Sequence, residues 1–165
     1  MSPELIPPEA LPLEVGQAAP DFALRDQHGQ AVALSSYLGR RVAVVFYPWA
    51  FSRVCHGELR ALRDALPRFE SSGISVLAVS CDAMFSLRAF AEAGQLTFPL
   101  LSDHWPHGAA ARAYGVFDPA TGAAKRSTFL VGPDGHIAWA VHNGLGEARD
   151  LEQYLQVAAG DPGRS

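Results

Sequence analysis

A chain of 165 residues fits one domain of ordinary size. With 48% hydrophobic and 18% charged residues it has the apolar material to close a core, which excludes disorder of the whole chain. Thirteen basic against seventeen acidic residues give a net charge of -4, so no global positive field draws the chain to nucleic acid or to an anionic membrane. Pro3, Pro7, Pro8 and Pro12 forbid a regular helix at the start, and residues 1–13 read as an extended arm. Phe22 to Arg25 and Ala31 to Leu34 are short strand-like runs around a Gly-containing loop, which predicts a hairpin. Val42 to Tyr47 is continuously apolar and β-branched, the pattern of a central strand buried on both faces, and it stops at Pro48. From Ser52 to Phe69 the positions Cys55, Leu59, Leu62, Leu66 and Phe69 recur at helical spacing, predicting an amphipathic helix capped by Ser52.

Ile74 to Ser80 reads as a second buried strand, and Asp82 as the N-cap of a helix that buries Leu87, Phe90 and Ala91. Thr97 to Leu101 has the length of a short strand. Ser102 or Asp103 can cap a helix from His104 to about Tyr114, with Pro106 in its first turn and Gly115 at its end. Ser127 to Val131 and His136 to Val141 flank Pro133-Asp-Gly, an antiparallel hairpin signal. Leu151, Tyr154, Leu155 and Ala158 supply the stripe of a last helix, leaving residues 160–165 as a tail behind a domain over residues 14–159. This succession predicts an α/β protein with a mixed sheet flanked by helices: a thioredoxin fold with an N-terminal β-hairpin extension.

In such sheets the chemistry collects where strand C-termini meet helix N-termini, here at Phe46-Tyr-Pro-Trp-Ala-Phe-Ser-Arg-Val-Cys55. With Ser52 as N-cap, Cys55 sits in the first helical turn, where backbone N–H groups lack intrahelical acceptors and the macrodipole favours thiolate over thiol. Arg126 is the best-placed second charge, because it begins a strand expected beside the central one. Ser52 occupies the position of the first cysteine of a Cys-x-x-Cys pair. A hydroxyl there forms no disulfide, but it can orient an oxygen substrate and donate to the oxygen that gains charge, which suits peroxide reduction.

Pro48, Ser52 and Cys55 match the Pro-x-x-x-Thr/Ser-x-x-Cys motif, and the chain resembles the peroxiredoxin family from about residue 13 to residue 158. Val15 to Phe22 is similar to the family's opening, Phe46-Tyr-Pro48 to its active-site strand end, and Arg126-Ser-Thr-Phe129 to its arginine strand. Cys55-His-Gly-Glu58, Phe98 to Asp103, Trp105 to Gly108 and Ala113 to Phe117 most resemble the alkyl hydroperoxide reductase E type. The resemblance implies a thiol-dependent peroxidase of antioxidant defence that takes hydrogen peroxide and organic hydroperoxides through a Cys55 sulfenic acid. It implies that Cys55 is the nucleophile, Ser52 its hydroxyl partner, Pro48 a shield over the sulfur and Arg126 the activator of thiolate and peroxide. Glu58 corresponds to an acid that positions the arginine. Ser52 stands where threonine is commoner, and His56 where many members carry proline. A homodimer and an external thiol reductant (thioredoxin, a glutaredoxin-like protein or a small thiol) are family expectations, and no metal or organic cofactor is needed.

Only two cysteines occur, Cys55 and Cys81, too few for a disulfide scaffold. Cys81 ends a strand expected beside the central one, so both thiols are expected at the same edge of the sheet. There Cys81 is either a resolving thiol, once the first turn of the helix unwinds, or a buried apolar residue. His56, His104 and His107 lack the paired short-spaced ligands of a zinc site. Two other readings share the pattern: a thiol–disulfide exchange protein using Cys55 and Cys81, and a redox-inactive thioredoxin-fold binding module. No stretch reaches the apolar length of a bilayer span, and residues 1–14 carry no basic cluster before an apolar run, so the expected location is the cytoplasm.

Overall fold

The computed structural model describes residues 11–144 and 149–159. Of the arm expected over residues 1–13 only the last three fall among these, and the tail at 160–165 lies outside them. A sheet of seven strands runs in the order β2-β1-β5-β4-β3-β8-β9. Its members are β1 (Ala23–Arg25), β2 (Ala31–Ala33), β3 (Arg41–Phe46), β4 (Ile74–Ser80), β5 (Leu100–Ser102), β8 (Ser127–Val131) and β9 (Ile137–His142). β3 pairs parallel with β4, and β4 with β5, while β8 runs antiparallel to β3 and β9 antiparallel to β8. The sheet is therefore mixed, with β1 and β2 as the added hairpin at one edge.

Side chains alternate along the strands and build one core on each face. On the first face Ala43, Val45, Tyr47, Val76 and Ala78 pack under helices α1 (Arg53–Ser71), α2 (Met84–Gly94) and α4 (Leu151–Ala159). On the second face Val42, Val44, Phe46, Leu77 and Val79 pack under α3 (Ala109–Ala113) and the segment that follows it. Helix α1 is the most instructive element. Its buried stripe, Cys55, Glu58, Leu59, Leu62 and Phe69, keeps helical spacing but includes a carboxylate, which no core accepts without partners.

Three local expectations change, and one small hairpin is added to them. Asp82 does not cap α2, whose N-cap is Ala83 with no side-chain bond. Its carboxylate instead accepts the Ala50 N–H at 2.8 Å and the Ser80 hydroxyl at 2.7 Å, because the neighbouring loop leaves those donors without another acceptor. The strand expected at Thr97 starts only at Leu100, since Pro99 has no N–H for a ladder. Helix α3 is shorter than the predicted His104–Tyr114 span because Gly108, at φ 70°, is left-handed and cannot continue a helix backward. Its N-cap is Gly108 and not Ser102 or Asp103, although the Asp103 carboxylate reaches its first turn from outside and accepts the N–H groups of Ala110 and Ala111 at 3.0 and 2.9 Å. A hairpin of β6 (Phe117–Asp118) and β7 (Ala123–Ala124) is too short to leave a periodic signal.

Candidate active site

Strand β3 ends at Phe46, and Tyr47 and Pro48 follow it into the interior, both buried. Trp49 and Phe51 emerge into solvent, and Phe51 adopts φ 67°. For a bulky aromatic residue that left-handed conformation is strained, by about 1–3 kcal/mol, and it turns the chain sharply into α1. Ser52 then caps the helix as its spacing implied: it is extended, at φ −67° and ψ 148°, and its hydroxyl accepts the Cys55 N–H at 3.3 Å. The hydroxyl proton is still available to a second acceptor. Cys55 is wholly buried, with 0% of its surface exposed.

The register of β3 against β8 places Ser127 opposite Phe46, so Arg126 lies across from the end of the central strand. Its guanidinium, side chain 2% exposed, points Nη2 at the Cys55 sulfur at 3.4 Å and Nη1 at the Glu58 carboxylate. Glu58 sits one helical turn after Cys55 on the same buried stripe, which explains how a carboxylate enters this core. Cys55, Glu58 and Arg126 thus form one contact cluster, with Ser52 on the backbone of the cysteine and Pro48 buried at the strand end.

A second arginine belongs to the cluster and was not anticipated. Arg149, two residues before α4, is buried and bonds the same Glu58 oxygen that Arg126 uses. Its backbone N–H donates to the other Glu58 oxygen at 2.8 Å, its Nε to Thr128 Oγ1 at 2.8 Å, and its Nη2 to the Phe46 carbonyl. Burial pulls the Arg149 guanidinium down from its ordinary value, and the Glu58 carboxylate offsets part of that shift. One sequence signal was present: a cation just before a helix N-terminus opposes the macrodipole and suggests employment elsewhere.

Tyr47 closes the floor of the site. Burial pushes its phenol well above the ordinary range, with the Ser80 hydroxyl facing it. Outside it the ring of Phe90 gathers Phe51 at 5.0 Å and His56 at 5.6 Å between centroids. His56 is therefore an aromatic neighbour of the loop. Among the described residues no group of three or more His, Cys, Asp and Glu side chains is arranged to hold a metal ion.

Cys81 lies at the expected end of the sheet but on the other face. It belongs to the core with Val79, Leu101 and Ala110, whereas Cys55 belongs to the core with Tyr47 and Leu59. Burial, with the Asp103 and Asp82 carboxylates nearby, pushes its thiol up to about 12. The two cysteines are thus separated by the sheet, because β4 alternation sends Val79 and Cys81 to the same side.

The family model that matches, described as the AhpC/TSA family, covers residues 15–140. The chain is 48% identical over 148 residues to alkyl hydroperoxide reductase E of Mycobacterium tuberculosis, spanning 89% of this chain and 97% of that relative. It is 35% identical over 158 residues to the chloroplastic 2-Cys peroxiredoxin BAS1 of Hordeum vulgare, covering 89% of this chain and 74% of the relative. The crystal structure of Enterococcus faecalis AhpC superposes with a TM-score of 0.82 at 31% identity, over 88% of this chain and 90% of that one. No helix among the described residues is long and apolar enough to cross a membrane. A mixed sheet with a buried, arginine-bound cysteine at the first turn of a helix, and similarity over 89% of this chain and 97% of the mycobacterial relative, lead to one conclusion: the chain belongs to the AhpC/TSA family and is a peroxiredoxin, a thiol-dependent peroxidase.

Proposed function

We propose that Cys55 is the peroxidatic nucleophile of this enzyme, acting on hydrogen peroxide and organic hydroperoxides in antioxidant defence. The observation that carries this reading is the contact between the Arg126 guanidinium and the Cys55 sulfur. Arg126 Nη2 lies 3.4 Å from Sγ, while its Nη1 meets the Glu58 carboxylate that Arg149 also binds. A guanidinium at this distance donates a charge-assisted hydrogen bond to the Cys55 thiolate that attacks peroxide.

The Cys55 thiolate attacks the nearer peroxide oxygen, an S–O bond forms, and the O–O bond breaks. The leaving oxygen departs as alkoxide or hydroxide and takes a proton to become alcohol or water. Arg126 and the Ser52 hydroxyl hold the two oxygens and stabilise the charge that grows on the leaving one. Pro48 shields the sulfur from bulk water. Glu58 and Arg149 act through Arg126 and hold its fork in place. Because Cys55 has no exposed surface, substrate reaches it when the strained Phe51 segment yields.

The sulfenic acid is then reduced by an external thiol, with loss of water and formation of a mixed disulfide that a second thiol resolves. Thioredoxin, a glutaredoxin-like protein and a small thiol all supply this chemistry. An internal Cys55–Cys81 bridge demands that one side chain cross the sheet, which favours the external route. The exposed aromatics Trp49, Phe51, Phe85 and Trp105 are 40%, 52%, 74% and 81% accessible, and they suit burial against a second copy in a homodimer. The expected place of action is the cytoplasm. Steady-state peroxide consumption with excess dithiothreitol tests the assignment: Cys55→Ser is expected to abolish it while Cys81→Ser retains it, and the reverse pattern refutes it.

A further inference from the structure

The hydrogen bonds around Arg149 continue beyond the charged cluster. Thr128, on β8 and 1% exposed, points its hydroxyl to the α1 face, where Oγ1 accepts the Arg149 Nε–H at 2.8 Å and the Tyr154 hydroxyl at 3.1 Å. Tyr154 is 5% exposed, lies one turn into α4, and packs edge-on against Trp139 with 4.9 Å between ring centroids. An unbroken buried path therefore leads from α4 through Tyr154, Thr128, Arg149, Glu58 and Arg126 to the Cys55 sulfur.

We infer that Thr128, itself held by Tyr154, is a positioning residue for the peroxide reaction: its hydroxyl fixes the Arg149 fork so that Glu58 is shared between two guanidiniums and Arg126 keeps its charge directed at Cys55. The geometry requires this kind of anchor. Glu58 has two oxygens, and Arg149 occupies both of them, one through Nη1 and the other through its backbone N–H. When the Arg149 side chain turns away, the backbone N–H still holds Oε2, but Oε1 loses its second guanidinium and is left to Arg126, and the tighter Arg126–Glu58 pair draws the guanidinium from the sulfur. The orientation of Arg149 is set at Nε by Thr128, at Nη1 by Glu58 and at Nη2 by the Phe46 and Ser127 carbonyls, and the hydroxyl is the side-chain restraint that lies outside the charged pair. In a site this dry no water replaces it readily.

The inference rests on Cys55 being the reacting thiol, and the experiment separates the two. Oxidation of the reduced full-length chain by hydrogen peroxide is followed in a stopped-flow instrument by tryptophan fluorescence, across a range of pH. Thr128→Val keeps the shape and removes the hydroxyl; it is expected to slow oxidation about tenfold at neutral pH and move the rate profile to more alkaline pH, the size of one lost hydrogen bond to a charged network. Thr128→Ser restores the hydroxyl and is expected to stay within about twofold of the parent, and Tyr154→Phe to slow it by about threefold, as a bond removed one step further. Leu130→Ala is the control: a buried neighbour on the same strand and face whose truncation lowers thermal stability but leaves the pH profile in place. An unchanged profile in Thr128→Val, a Thr128→Ser variant as slow as Thr128→Val, or an equal shift in Leu130→Ala overturns the inference. Peroxide oxidation that persists in Cys55→Ser overturns the reading beneath it instead.

Discussion

Replacing Arg126 by Gln removes the charge that faces the sulfur and leaves a shorter, neutral hydrogen-bonding side chain. At an effective dielectric constant of about 20, opposite unit charges 3.4 Å apart attract by about 5 kcal/mol. Desolvation offsets part of this attraction, and hydrogen bonds to charged groups contribute about 1.5–3 kcal/mol net. At about 1.4 kcal/mol per tenfold, the second-order rate constant for oxidation at neutral pH is expected to fall by about 10-fold to 150-fold. Arg149 still pairs Glu58 in this variant, so no buried carboxylate is stranded and the fold is retained. Arg126→Lys keeps the charge but cannot reach Glu58 and Cys55 together with one ammonium, and its expected loss lies between parent and Gln. Stopped-flow oxidation under pseudo-first-order peroxide reads both variants. A Gln variant within about twofold of the parent, where the bond accounts for at least tenfold, refutes the role given to Arg126.

Cys81, with its thiol pushed up to about 12 by burial and the two nearby carboxylates, is expected to resist iodoacetamide in the native Cys55→Ser protein at mildly alkaline pH and to react once urea unfolds it; rapid native labelling contradicts that environment. Burial, then the Lys125 charge, hold His142 below its ordinary imidazole value, so the unfolded chain binds the proton more readily than the folded one. Stability should therefore fall as pH drops through the ordinary imidazole range, and His142→Asn, which can keep the bond to Ser127 Oγ, should flatten that slope in urea denaturation; a slope of opposite sign refutes the linkage. Phe129 is wholly buried on the second face between Phe46 and Tyr114, so Phe129→Ala is expected to cost about 3–5 kcal/mol of unfolding free energy, and a cost below about 1 kcal/mol argues against that packing.

What could be read along the chain and what could not divide on physical grounds. The β3 strand, the Ser52 cap and the position of Cys55 in the first turn of α1 depend on residues within a few positions of one another, where propensity, patterning and capping agree. Arg126 was reachable because an antiparallel β8 beside β3 puts one residue opposite the strand end. Glu58 was assigned by resemblance, although its place on an apolar stripe already marks it as a buried, partnered carboxylate. Arg149 and Thr128 were not legible, since their roles come from the convergence of β3, β8, α1 and the start of α4. Tyr154 was read only as part of an apolar stripe, its hydroxyl having no signature in periodicity. The separation of the cysteines by the sheet turns on the side-to-side alternation of β4, where a single residue decides the face. Asp82 looked like a helix cap because Asp before a helix usually is one, and the donors of a spatially adjacent loop outcompeted that local preference.

The central claim is that the Cys55 sulfur is the atom that breaks the O–O bond. Mass spectrometry of the reduced protein after one equivalent of hydrogen peroxide, with dimedone present to trap sulfenic acid, addresses it directly. One adduct is expected, mapped to the peptide that contains Cys55, with Cys81 left as a free thiol. An adduct on Cys81, or peroxide consumed with Cys55 unmodified and no disulfide formed, contradicts it.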